Sequence, residues 1–160
     1  MKGIMAVVVV TLATLFIAAP ASAQGLGLGW DSGIALRGNA GDVGLEGVLG
    51  FSNTSYEDED IDSDTSMDLS GYASFPMVTR NTSVLGLFAG LGISTFTDWD
   101  TDFAIRGGLE HRVMVTSQIG LTGKAGLEVL VVGGREDVAD SGWTTIGTFG
   151  SIGVFWFFGE

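Results

Sequence analysis

Apolar and small residues alternate along most of this chain with a period of two. From Val43 to Phe51, for example, every odd-numbered residue is apolar or glycine, and Glu46 lies on the other row. A period of two places alternate side chains on opposite faces of a β-strand, whereas a helix requires a period of 3.6. The sequence therefore predicts an all-β protein. The clear strands are predicted at residues 43–53, 67–77, 83–95, 102–115, 118–131 and 143–158.

The row opposite the apolar residues consists of Gly, Ser, Thr and Ala with a few charged residues. A soluble β-sandwich would carry larger polar side chains on its solvent face. Small residues with scattered ions are typical of the narrow lumen of a β-barrel whose apolar rows contact lipid. We therefore predict an eight-stranded antiparallel up-and-down transmembrane β-barrel.

The six clear strands leave two to be supplied by the N-terminal part of the barrel. The segments Gly25–Trp30 and Gly33–Gly38 are predicted to form them, with a tight turn at Asp31 and Ser32. The total of eight is even, as single-chain bacterial barrels require. Both strands are shorter than the ~9–11 residues that cross a bilayer. A single merged strand would leave seven strands and an open seam in lipid, so both readings stay open here.

Met1–Ala23 has the pattern of a cleaved signal peptide. Lys2 provides the positive start, residues 4–19 are mostly apolar, and Ala21-Ser22-Ala23 is a small-residue cleavage site. Residues 24–160 are predicted to form one exported domain. The domain has no Cys, so no disulfide stabilises it.

The formal net charge of −12 argues against nucleic acid as a partner. Connections between the predicted strands alternate in length: those at 39–42, at 80–82 and near Gln118 are short, and those at 56–66, 97–101 and 133–141 are longer and acidic. Short turns on one side and long loops on the other are typical of outer-membrane barrels.

The predicted C-terminal strand carries a sequence motif in addition to the two-residue alternation. A polar residue is followed by glycine and then by aromatic residues at alternate positions, at Ser151, Gly153, Trp156 and Phe158. This motif resembles the assembly signal of the small eight-stranded outer-membrane barrels, the group that includes the OmpA membrane domain and OmpX. The stretch from Gly33 to Ser52 also resembles the second and third strands of small porin-like barrels. The resemblance implies a monomer in the bacterial outer membrane. It also implies contact with outer-membrane lipids, lipopolysaccharide and the barrel-assembly machinery, and no cofactor.

Seven charged residues are predicted to point into the lumen, four of them acidic and three basic. They are Glu46, Asp68, Arg106, Glu110, Arg112, Lys124 and Glu128. Eight strands enclose a lumen that side chains just fill, and buried ions of opposite sign pair because unpaired ones are costly. A plugged lumen is therefore predicted, and a narrow ion or solute channel is the alternative.

Two other features of the sequence could carry chemistry. Asp58, Asp60, Asp62 and Asp64 alternate as at the start of a calcium loop, but the glycine and the bidentate glutamate of such a loop are missing, so at most loose cation binding is expected. His111, the one histidine, is predicted on the lipid-facing row near the short-turn rim.

No catalytic set is visible, because Ser117 is poorly placed as a partner for His111. We predict a non-catalytic integral membrane protein with a structural or surface-interaction role and acidic extracellular loops. An envelope lipid hydrolase and a soluble exported β-sandwich are the remaining alternatives.

Overall fold

The computed structural model describes residues 26–54, 64–96, 101–133 and 142–158. Each strand in this part of the chain pairs antiparallel with the next, and the last strand pairs with the first to close a ring. The predicted eight-stranded up-and-down antiparallel fold is therefore confirmed. The strands are β1 (Leu26–Asp31), β2 (Ile34–Ala40), β3 (Val43–Thr54), β4 (Asp64–Arg80), β5 (Ser83–Phe96), β6 (Asp102–Met114), β7 (Ile119–Val132) and β8 (Trp143–Phe158).

The two-residue period sorts side chains between the two faces of the ring. On β8, for example, Val154, Trp156 and Phe158 are exposed on the outer face, while Phe155 and Phe157 are buried in the lumen. Among the described residues, 25 large hydrophobic side chains are exposed and only eight hydrophobic residues are buried. The outer surface is thus apolar, and the interior holds ten buried polar or charged residues.

The N-terminal segment forms two separate short strands, β1 and β2, which settles the open question of one strand or two. The predicted position of their turn was wrong by one residue. Asp31 still pairs with Gly153 of β8, and the turn lies at Ser32 and Gly33, with Ser32 at a φ of 58°. The physical reason is that the Asp31 carboxylate lies on the inner row, where it meets a buried lysine.

The other strand limits agree with the prediction to within one residue, except that β2 ends at Ala40 rather than Gly38 and that β4 differs at both ends. That strand begins at Asp64 rather than Met67, and it continues through Met77 to Arg80. The extension past Met77 is made possible by a β-bulge between Pro76 and Val78. Proline cannot donate to the ladder, and a bulge is one of the few places where a strand tolerates it.

The ring is strongly staggered. Following the paired positions from Asp31 through β2 to β7 leads to Trp143 on β8. The residue of β8 that pairs directly with Asp31 is Gly153, so one circuit around the ring shifts the register by ten residues. Closing a barrel with such a stagger tilts its strands by roughly 35–45°.

The ring has a turn rim and a loop rim. The turn rim carries the short connections at 41–42, 81–82 and 115–118, together with Leu26 and its partner Phe158. All eight strands reach the turn rim. β1 and β2 stop about halfway to the loop rim, where Asp31 pairs with Gly153 and Ile34 pairs with Leu49.

Above the Ser32–Gly33 turn, the wall therefore has a gap two strands wide, which we call the notch. It is bordered by residues 144–152 of β8 and 50–54 of β3; in the described part of the chain, no strand pairs with these residues on the notch side. We call the part of the barrel that includes β1 and β2 the lower half and the six-stranded part above it the upper half.

Candidate functional site in the barrel lumen

All seven charged residues predicted for the lumen lie on inner rows of the strands. Alternation places Glu46 on β3, Asp68 on β4, and the others on β6 and β7. They do not form one network. Glu46, Glu110 and Lys124 belong to a buried cluster in the lower half, and Arg106 pairs with Glu128 in the upper half. Asp68 belongs to neither group, and Arg112 lies beside the lower cluster without forming an ion pair with any described residue.

The lower cluster is centred on Glu46, which accepts from two cations. Arg37 Nη1 lies 2.7 Å from Glu46 Oε2, and Lys124 Nζ lies 2.6 Å from Glu46 Oε1. Arg37 also pairs through Nη2 with Glu110 Oε1 at 2.5 Å, and Lys124 pairs with Asp31. No side chain in this cluster is more than 6% exposed. Five charged groups from five different strands are therefore joined inside the lumen.

Arg37 and Asp31 are the two members of this cluster that were not among the seven charges predicted for the lumen. A signal for Arg37 was present, because it follows Ala35 by two residues and alternates with Ile34 and Leu36, which are exposed on the outer face. Asp31 was assigned to the turn. Its inward position depends on β1 extending one residue further, which the short alternation of that segment does not specify.

The upper pair is more accessible. Arg106 Nε lies 2.5 Å from Glu128 Oε2, and the side chains are 19% and 22% exposed. Arg106 Nη1 also donates to Ser70 Oγ and Tyr72 Oη, at 2.9 Å each, and the guanidinium lies 4.8 Å from the ring centroid of Phe149.

Aromatic rings fill the lumen around these charges. Tyr72, Phe88 and Phe149 form a mutual cluster with centroid separations of 5.8–6.0 Å. Lys124 Nζ lies 4.7 Å from the centroid of Tyr72, so this cluster lies directly against the lower ion cluster. Nearer the turn rim, Phe155 and Phe157 are buried with centroids 6.2 Å apart. Ions and rings together occupy the cross-section of the lower half.

Asp68 and Arg112 have no ion-pair partner in the described ranges. Asp68 accepts a hydrogen bond from Ser94 Oγ in the upper half. Arg112 lines a cavity of about 20 Å³ at the turn rim, together with Arg37, Ser74 and Glu110. A cavity of this size holds about one water molecule.

The residues of the C-terminal motif lie on both faces of β8. Trp156 and Phe158 are exposed on the outer face and stack with their centroids 6.5 Å apart. Gly153 is buried and pairs with Asp31, and Ser151 is partly buried on the inner row.

The acidic motif lies mostly outside the part of the chain that the structure describes. Asp58, Asp60 and Asp62 lie outside the described residues, as does the side chain of Asp64. Among the residues that are described, no group of three His, Cys, Asp or Glu side chains could hold a metal ion.

His111 is exposed on the outer face, and its Nε2 lies 2.8 Å from Ser83 Oγ. The sequence pointed to Ser117 as the serine nearest to His111 along the chain, whereas the pairing of β5 with β6 brings Ser83 close to it. Within the described ranges, no carboxylate hydrogen-bonds the other ring nitrogen of His111. The pair therefore lacks the orienting third group of a hydrolytic triad.

In the described segments, no helix is long and apolar enough to span a membrane. Comparison of the chain with protein-family models, curated proteins and solved structures gives no match.

Proposed function

We propose that this chain is an integral β-barrel protein of the bacterial outer membrane, similar in class to the OmpA membrane domain and OmpX. One observation carries the proposal: the distribution of residues is inverted relative to a soluble protein. Twenty-five large hydrophobic side chains are exposed, whereas ten polar or charged residues are buried. Soluble monomers rarely expose contiguous apolar patches of more than a few hundred Å², but a lipid-facing barrel requires such a surface.

The proposed role is structural or surface-interacting rather than transport. The lower half of the lumen is filled by an ion cluster whose members are at most 6% exposed and by the buried rings of Phe155 and Phe157. Eight strands enclose only enough room for side chains. Moving an ion through this section would require displacing several buried, paired charges, which is costly.

Further support comes from the sequence. The barrel ends on an aromatic strand that resembles the assembly signal of outer-membrane barrels, and residues 1–23 resemble an export signal. The proposed partners are accordingly outer-membrane lipids, lipopolysaccharide and the assembly machinery. The proposed state is a monomer without cofactor or catalytic activity.

A charge placed on the outer face tests the membrane proposal. Leu109, near the middle of β6, is 51% exposed, and Val115, just beyond the end of β6, is 58% exposed. In lipid, Leu109→Lys should lower the free energy of unfolding from phospholipid vesicles by about 2–4 kcal/mol, because a Lys near the midplane of the bilayer is costly. Val115→Lys is the matched control at the rim and should change it by less than about 1 kcal/mol.

If the barrel is instead a soluble protein, both substitutions add a charge to a solvated surface and should have equally small effects. The processed chain would then also be recovered as a monodisperse particle without detergent, and the membrane proposal would be wrong.

Single-channel recording on purified protein in planar bilayers tests the plugged lumen. We expect no steady conductance, with an open barrel of greater strand number as the positive control in the same bilayer. Reproducible conductance steps from the wild-type protein would contradict the plug and favour the narrow-channel alternative.

A further inference from the structure

The notch is a break in the barrel wall that the proposed function does not use. It exposes the backbone of β8 along one edge. Phe157 N donates to Gln118 O at 2.7 Å on the β7 side. Since backbone groups alternate sides along an antiparallel strand, odd-numbered residues of β8 face β7. The N–H and C=O groups of Thr144, Ile146, Thr148, Gly150 and Ile152 therefore face the notch.

The notch lies within the apolar part of the outer surface. Phe51 on its β3 border is 65% exposed, and Ile146 and Ile152 on its β8 border are 76% and 80% exposed. If the barrel is inserted in a membrane, as proposed above, these backbone groups lie at the level of lipid. Each backbone group without a hydrogen-bond partner in hydrocarbon costs several kcal/mol. Acyl chains cannot supply partners, whereas an extended polypeptide can.

The shape of the notch restricts what can enter it. The notch lies directly above β1 and β2, which separate β8 from β3 in the lower half. Its borders on β8 and β3 are therefore three strand spacings apart, roughly 14 Å. A strand or a two-stranded hairpin fits into this width, whereas another complete barrel does not. A strand in the position next to β8 would continue the line of β1 and, like β1, would run antiparallel to β8.

The charge of the upper lumen indicates what such a strand carries on its inner face. Three acidic residues, Asp68, Asp102 and Glu128, face the upper lumen with a single described base, Arg106. Asp68 lies at the lower corner of the notch, next to Gly50 at the lower end of the β3 border. A Cβ added to Gly50 would lie 3.4 Å from Asp68 Cβ and 3.3 Å from the carbonyl oxygen of Ser32, the residue in the turn below the notch. An inward Lys or Arg on the incoming strand would neutralise Asp68. A second copy of this acidic chain, with a net charge of −12, is a poor source of that base.

We propose that the notch is a docking site for an extended strand of another polypeptide, which adds to the edge of β8 at residues 144–152. The strand carries apolar residues toward lipid, small residues toward the lumen and one basic residue near Asp68. This inference rests on the proposed membrane location. It gives the surface-interaction role a site and a mode of binding, the addition of a β-strand to an exposed sheet edge.

Amide hydrogen exchange on the folded barrel in lipid nanodiscs tests the site. In the protein alone, water that enters the accessible upper lumen should reach the notch from the inside. The amides of Ile146, Thr148 and Gly150 should therefore exchange much faster than those of Gly147, Phe149 and Ser151, which face β7. The probe is a synthetic ten-residue peptide in which Val or Leu alternates with Gly or Ser, with one central Lys. It should slow exchange at the three notch-facing amides by at least about tenfold.

Two matched controls test whether backbone pairing is responsible. The same peptide, N-methylated at its apolar positions, lacks the donors that would face β8 and should give no protection. Thr148→Pro removes one notch-facing N–H without breaking the ladder to β7, as edge strands tolerate, and should abolish protection by the peptide. Thr148→Ala should retain it. If Thr148→Pro fails to fold, the N-methylated peptide still decides.

Several outcomes would overturn the proposal. Notch-facing amides that are already protected in the protein alone would mean that its own chain, a second copy or lipid covers the edge; dilution and a change of lipid would tell these apart. Equal protection by the N-methylated peptide would exclude strand addition. A barrel that inserts into vesicles and yet gives either result refutes only the docking site, whereas a barrel that does not insert refutes the proposed function first.

Discussion

The two halves of the barrel differ in what surrounds their charges. In the lower half, eight strands enclose Lys124, which is fully buried and pairs with Asp31 and Glu46. In the upper half, six strands surround Arg106, whose side chain is 19% exposed although it also has an acidic partner. A base paired with an acid is thus buried in the lower half and accessible in the upper half. The Lys124 pairs cross the lumen to β1 and β3, whereas Arg106 and Glu128 lie on the neighbouring strands β6 and β7.

This difference follows from the length of two strands. β1 and β2 are six and seven residues long, whereas the other six strands have 12 to 17 residues. Where the short hairpin completes the wall, the interior can exclude water, so charges there must be fully paired. Where the hairpin ends, the interior is open at the side. The lower half therefore provides stability, and the upper half is available to the strand proposed above.

Removing one cation from each half tests this division and should give the largest effect. Lys124→Met leaves the buried Asp31 without its base, so we expect a loss of about 3–5 kcal/mol in the free energy of unfolding. Arg106→Met, the matched substitution in the upper half, should cost less than about 2 kcal/mol, because solvent screens the remaining carboxylate. Urea unfolding from vesicles, followed by Trp fluorescence, measures both. Equal losses would remove the distinction between the halves.

Adding a methyl group to each half should give an intermediate effect. In the lower half, a Cβ on Gly29 would collide with Val154 O and lie 2.9 Å from Phe155 Cα, both on the backbone of β8. Gly29→Ala should therefore destabilise the barrel by about 1–3 kcal/mol. In the upper half, a Cβ on Gly147 would meet nothing within 4 Å, so Gly147→Ala should change stability by no more than about 0.5 kcal/mol. The same unfolding assay applies, and a costly Gly147→Ala would mean that the upper lumen is filled.

The smallest effect is expected on the outer face, which provides a baseline for both halves. Ser83 and His111 form an exposed hydrogen bond there. Ser83→Ala should change stability by less than about 0.5 kcal/mol. It should also leave unchanged any release of fatty acid from phospholipid or lipopolysaccharide by the purified protein. A hydrolytic activity that disappears in Ser83→Ala would instead support the lipid-hydrolase alternative.

The fold could be predicted from sequence because one physical rule applies along most of the chain. Alternation of apolar and small residues over ten or more positions, as from Ile119 to Val129, is sufficient to identify a strand and its two faces. The same rule placed all seven predicted charges on inner rows. It could not show which of them pair, because pairing depends on the register between strands that are distant in sequence.

The notch could not be predicted for the same reason. The shortness of residues 25–38 was visible, but the position of the resulting gap depends on Asp31 pairing with Gly153 and Ile34 pairing with Leu49. The turn between β1 and β2 shows what the sequence pattern could not predict for single residues. Asp31 and Ser32 are both common in turns, and only the buried partner of Asp31 decides which of them remains in the strand.

The uneven pairing of the ring also has a mechanical consequence. β1 shares four paired positions with β2 and six with β8, and β2 shares seven with β3, whereas every other junction has 11 to 14. A pulling force applied to the N-terminus would therefore peel the short hairpin away at low load. The six long strands would remain joined as a curved sheet, which would rupture only at a higher force.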